Sequence, residues 1–248
     1  MNTIALLNDF RRNQSDEAFA TLTHRYVNLV FSVALRRLND SALAENATQM
    51  VFARLAGAPP VVTTESELLG WLHHTSLHVA LDLSQPESCR INADRTAASL
   101  DTGIAERDPR WTELAPQLDE AIENLSPTER QAVLMKYFQD NSHHNIGSKL
   151  AGGISEDTSK IHTSRALERL RVTFSAKGII CTAGLLTKLL TAHAIETPPA
   201  NLVARLTSLP QPQGGGADAT TVPGDSSAGW RSKFAAFFRR NRSKGVGQ

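Results

Sequence analysis

LSPTERQAVLMKYFQDNSHHNIGSKLAGGISEDTSKIHTSRALERLR, residues 125–171, is the stretch whose reading decides the fold. It opens with Ser126-Pro127-Thr128-Glu129, a capping box with proline at the first helical position, where its missing N–H costs nothing. That box predicts a helix over Arg130 to Gln139. After Asp140-Asn141-Ser142 come a short helix, a glycine turn at Gly152-Gly153, and a longer helix from Ser155 to Phe174. Ser155 is its N-cap, followed by Glu156 and Asp157, whose carboxylates suit the orphan amides of a first turn. Two helices joined by a glycine turn are the pattern of a helix-turn-helix.

Outward from this stretch the apolar residues keep repeating at three and four. Phe19, Leu22, Tyr26, Leu29, Val30, Val33 and Leu38 form one stripe, with Asp16 read as its start signal. Asp40-Ser41 opens a helix over Ala42 to Ala56, which stops at Gly57-Ala58-Pro59-Pro60 because proline cannot continue the ladder. Ser66 to Leu83 follows, ended by Pro86, and Leu118 to Leu125 supplies another helix. Ile179 to Ala194 reads as a buried apolar helix and Leu202 to Leu209 as a short one. Pro210 to Gly229 has linker composition. The expected fold is therefore all-α. It comprises two small helical domains (1–83 and 113–177), a flexible linker at 84–112, a helical extension at 178–209, a second linker at 210–229 and a tail at 230–248.

The chain has 248 residues, 41% hydrophobic and 21% charged, which is ordinary globular usage. Its formal net charge is +1, so any nucleic-acid surface must come from local clusters of Lys and Arg. Cys89 and Cys181 stand far apart with no CxxC spacing, which argues against a disulfide framework or a zinc ribbon and fits a reducing, cytoplasmic setting. The first residues show no basic-then-apolar signal peptide.

Two segments resemble the two regions of extracytoplasmic-function (ECF) sigma factors of bacterial RNA polymerase. Asp16-Glu17-Ala18-Phe19, with Arg25, Tyr26 and Ala44 through Leu55, is similar to region 2. Leu125 through Arg171 is similar to region 4, above all in Glu129 to Leu134, Ser155-Glu156-Asp157 and Ser164 to Arg171. The resemblance implies a non-enzymatic factor, without cofactor or metal, that binds core RNA polymerase and promoter double-stranded DNA, with an anti-sigma regulator as a further partner. It places Glu45, Gln49 and Phe52 on polymerase, and Trp71 and Asp82 in the module that opens the minus-ten element. It makes the helix from Ser155 the reader of the minus-thirty-five element. A recognition helix presents its N-terminal residues to base edges; here these are Ser155, Thr158, Ser159, Lys160 and His162, while Arg165, Arg169 and Arg171 would grip phosphates.

The sequence departs from that pattern in places. Ser84-Gln85-Pro86-Glu87-Ser88 replaces the basic run expected after Asp82, and Asn46 stands where the family carries Asp. Strand opening needs basic and aromatic support, so a sigma-like helix-turn-helix regulator unable to melt promoters is the alternative. A second alternative is a histidine-dependent metalloenzyme. His73, His74 and His78 share one helix and the latter two have i, i+4 spacing, but no HExxH accompanies them, and polar histidines on a half-exposed helix explain them better. Trp230, Phe234, Phe237 and Phe238 fall at helical spacing among Arg231, Lys233, Arg239, Arg240 and Arg242. That basic amphipathic tail suits an anionic membrane, a partner's groove or nucleic acid.

Overall fold

Most helices among the described residues begin where a side chain can satisfy their first amides. The computed structural model describes residues 2–84, 108–150 and 153–207, and these contain helices and no strand. The helices are α1 (Thr3–Asn13), α2 (Asp16–Leu38), α3 (Ser41–Gly57), α4 (Glu65–Leu83), α5 (Pro109–Glu123), α6 (Pro127–Val133), α7 (His143–Lys149), α8 (Glu156–Ala176), α9 (Ala183–His193) and α10 (Ala200–Thr207). Between α6 and α7 the chain makes a π-helical turn, Leu134–Phe138. The all-α expectation holds.

The caps follow the sequence with one shift. Asp40 accepts from the Leu43 N–H at 2.8 Å and Ser155 from the Thr158 N–H at 3.1 Å. For α2, however, the cap is Ser15, whose Oγ accepts from Ala18 at 3.2 Å; Asp16 is the first helical residue and complements the dipole instead. Glu129 folds back on Ser126 as the capping box requires, accepting from its backbone N–H at 3.4 Å and also from its Oγ–H at 2.6 Å. A helix at Thr3–Asn13 adds Leu6, Leu7 and Phe10 to the core, with Phe10 stacked against Phe19 at 5.1 Å between centroids.

Pro109 starts α5 inside the span assigned to the 84–112 linker, because Asp108 caps it and Trp111 is fully buried. The rest of that span falls largely outside the described residues, as do the 210–229 linker and the 230–248 tail. The chain divides into two units, Met1–Pro212 and Gln213–Gln248, and all described structure lies in the first. Within it, α2 packs on α3 and α4 as the centre of the N-terminal half, and α6 and α7 pack on α8. The halves also meet each other: α2 touches α5, and α4 touches α5, α6 and the π turn. The extension splits between them, α9 lying on α8 and α10 on α2 and α3.

Charge marks this meeting of the halves. Arg36 of α2 forms a bidentate pair with Asp119 of α5, Nε to Oδ2 at 2.8 Å and Nη2 to Oδ1 at 2.9 Å, with both side chains 3% exposed. Its guanidinium also lies over the Phe138 ring, 5.0 Å from the centroid. His73 of α4 meets Asp119 at 3.0 Å and Glu123 at 3.5 Å. The sequence reading put this histidine on a half-exposed helix; the structure buries it completely, because its face of α4 is covered by α5. Glu123 further pairs with Arg130 at 3.1 Å and with His74 at 3.3 Å. Breaking a buried pair of this kind leaves an uncompensated charge inside, at a cost of about 3–5 kcal/mol.

Candidate nucleic-acid interface

The helix-turn-helix is built on two glycines. Gly147 in α7 is approached so closely by the carbonyl of Ile154 that a Cβ there would collide with backbone, while Ile154 donates its N–H to the Gly147 carbonyl at 2.8 Å. Gly153 takes φ +59°, the left-handed region where glycine is free of steric cost. The turn thus delivers the chain into α8 with Ser155 in place as cap. Ser159, Thr163, Ala166, Leu167, Leu170 and Phe174 form the buried face of α8. The helical period puts Asp157, Ile161, Ser164, Arg165, Glu168 and Val172 on the opposite, exposed side.

The residues nominated for DNA divide accordingly. Ser155, Lys160, Arg165 and Arg169 are exposed, and Thr158 and His162 are half-buried. Ser159 is fully buried and lies 3.4 Å from His143 Nδ1, so it braces α7 against α8 rather than facing outward. Lys160 bridges Glu156 at 2.9 Å and Asp157 at 3.4 Å, which neutralises it locally. Burial and the Lys136 and Lys160 charges together push the His143 imidazolium down. Arg169 reaches the buried Glu129 at 3.1 Å, tying α8 to the cap of α6, and Arg171 pairs with Glu168 at 2.6 Å. Arg165 is the cation on the outward stripe. Ile161, 49% exposed, sits one turn before it and offers an apolar contact where the sequence reading looked only for polar ones.

The residues nominated for polymerase lie on α3. Glu45 is partly covered, Gln49 is buried with its Nε2 unpartnered, and Phe52 is fully buried, edge-on to Phe19 at 6.4 Å. Phe52 is a core residue here, and the outward part of the set is Glu45. On α4, Trp71 and Asp82 are both half-buried. The α3 set and the α4 set belong to the N-terminal half, whereas the nominated residues of α8 belong to the other, so the structure brings together each group but not both.

The junction's electrostatics were invisible in the sequence. Burial alone would lower the His73 imidazolium, but hydrogen bonds and charge from Asp119 and Glu123 outweigh it and hold the proton more tightly than usual. Burial would raise the Asp119 carboxyl, yet Arg36 and His73 bring it down to about 2. Glu123, opposed by burial too, is brought to about 2 by His73 and Arg130. Among the described residues no group of three His, Cys, Asp or Glu side chains is arranged to hold a metal ion, and His74 and His78 simply stack at 4.2 Å. Among the same residues no helix is long and apolar enough to cross a membrane.

Residues 116–170 match the protein family described as Sigma-70, region 4. No curated protein matches the chain. The matched span runs from within α5 into α8 and contains α7, the turn and most of α8. Over these residues the chain is similar to sigma-70 region 4, and this supports the region 4 part of the resemblance seen in the sequence.

Proposed function

We propose that the protein is an ECF-type sigma factor that binds core RNA polymerase and directs it to promoter DNA. The observation that carries this reading is the α7–α8 pair within the matched span, with an outward stripe of Ile161, Ser164 and Arg165 behind a capped N-terminus. Such a helix enters the major groove, its exposed residues meeting base edges and its arginines phosphates. An isoleucine at that position contacts a thymine methyl, the apolar feature of the groove. Residues 1–83 would serve as the region 2-like module, contacting polymerase through the α3 face and the minus-ten element through Trp71 and Asp82. Residues 113–177 would serve as the upstream reader. In this reading the protein is not an enzyme.

Pull-down of purified core RNA polymerase, followed by run-off transcription on genomic fragments, tests the proposal. Retention of polymerase with new start sites is the expected result. Retention without transcripts would point instead to a sigma-like regulator that does not melt promoters, the reading favoured by the sparse basic charge after Asp82. Absence of retention, for the wild-type chain and for the released variant described next, would remove the polymerase role.

A further inference from the structure

Residues 194–207 lie across the N-terminal half as a strap. The Arg36 guanidinium donates to the Ala194 carbonyl, and the Ser32 Oγ accepts from the Glu196 N–H at 2.7 Å while lying 3.3 Å from the Glu196 carbonyl. Beyond Pro198-Pro199, α10 buries Leu202 and Leu206 completely in contact with α2 and α3. Arg205 Nη1 then reaches Glu45 Oε2 at 2.7 Å, from a side chain 47% exposed to one 19% exposed.

Three physical points follow. An eight-residue helix is too short to persist alone in water, so α10 owes its form to the surface beneath it. The Arg205–Glu45 pair is half in solvent and therefore screened by salt, a contact built to break more readily than the Arg36–Asp119 pair. Gln49, one turn along α3 from Glu45, keeps a buried Nε2 without a partner, so the present packing leaves a donor that another occupant could satisfy.

We propose that residues 194–207 are an intramolecular occupant of the α2–α3 face, and that core RNA polymerase and α10 exclude one another there. This rests on the reading of the Glu45–Gln49 face as the polymerase contact. Because the strap is part of the same chain, it competes at the high effective concentration of a tethered ligand. Polymerase then meets only the fraction of molecules in which the face is open, and its apparent affinity falls by that fraction.

The test compares the full-length protein with the full-length double variant Leu202→Asp, Arg205→Glu. Hydrogen exchange over residues 28–56 reports release of the strap, and titration with purified core polymerase reports binding. The expected result is faster exchange in that segment together with binding tighter by about 10-fold, as when the open form rises from a tenth of molecules to nearly all. Arg205→Ala, which leaves the buried leucines in place, should give a smaller gain that disappears at high salt; it also serves if the double variant fails to fold. Faster exchange with unchanged polymerase affinity would overturn the strap while leaving the sigma reading intact. Failure of wild type and variants alike to bind polymerase would overturn the sigma reading, and the strap's role with it.

Discussion

Of the three helices that carry the contact residues nominated by the sequence, α8 and α3 differ most in how they present them. The outward side of α8 holds Ile161, Ser164 and Arg165 in solvent, while the nominated side of α3 has Phe52 in the core, Gln49 buried and Glu45 under Arg205. The same kind of motif match thus produced one open surface and one closed surface. The difference lies in what each helix packs against. α8 has partners on one face only, so its other face is free to meet DNA. α3 is flanked by α2, α4 and α10, and in our proposal polymerase reaches its Glu45–Gln49 face only after α10 has moved.

The contrast can be broken from the inner side first. Arg36→Ala removes one member of a buried pair and its bond to Ala194, and should cost about 3–5 kcal/mol, read as a lowered midpoint in urea unfolding. A cost under 1 kcal/mol would mean that the halves are not held together through this pair. Gly147→Ala drives a methyl into the Ile154 carbonyl and should cost about 1–3 kcal/mol by the same measurement, with DNA binding weakened because the turn sets the angle of α8.

Acidity sharpens the comparison, because only the inner side titrates as a buried network. His73 binds its proton more tightly in the fold than in the unfolded chain. Its contribution is therefore complete below the unfolded imidazole value of about 6.5 and is lost as pH rises through the raised folded value. Asp119 runs the other way: its contribution is present above the ordinary carboxylate value and disappears as pH falls towards about 2. Thermal unfolding should accordingly show a plateau from about pH 4 to 6.5 and a decline on the alkaline side. His73→Gln should flatten that decline; an unchanged alkaline limb would detach His73 from it.

The outer side responds more weakly. Arg165→Ala should reduce the salt slope of DNA binding by roughly one unit and weaken binding across sequences alike. Lys160→Ala should do less, since Glu156 and Asp157 already engage the ammonium; a larger loss from Lys160 than from Arg165 would show that DNA pulls this lysine out of its acidic clamp. Both are measured by fluorescence anisotropy over a range of salt.

Much of this organisation was legible beforehand because it is local. The Ser126–Glu129 box, the Asp40 and Ser155 caps and the helical period of Phe19 to Leu38 are written within a few residues of where they act. Even the helix-turn-helix was readable, since Gly153 and Ser155 mark it directly. What escaped depends on distant partners. Nothing adjacent to His73 announces Asp119, and a histidine in a run of His73-His74 looks polar until α5 covers it. Arg169 reads as a free cation although its acid, Glu129, lies forty residues earlier. The extension is legible in the sequence only as two helices; that α9 lies on α8 while α10, after Pro198-Pro199, crosses to α2 and α3 depends on surfaces far away in the chain.

The Ser32–Glu196 contact closes over 164 residues of chain, and that span has a consequence in time. At about 5–20 residues per second, a ribosome needs roughly 8–30 s to add the strap after Ser32 has been made. Throughout that interval the newborn N-terminal half has α3 without its cover and Arg36 without Asp119 until the later helices arrive. A growing chain therefore passes through an age at which its hidden face is open, and a chain halted before residue 194 never leaves it.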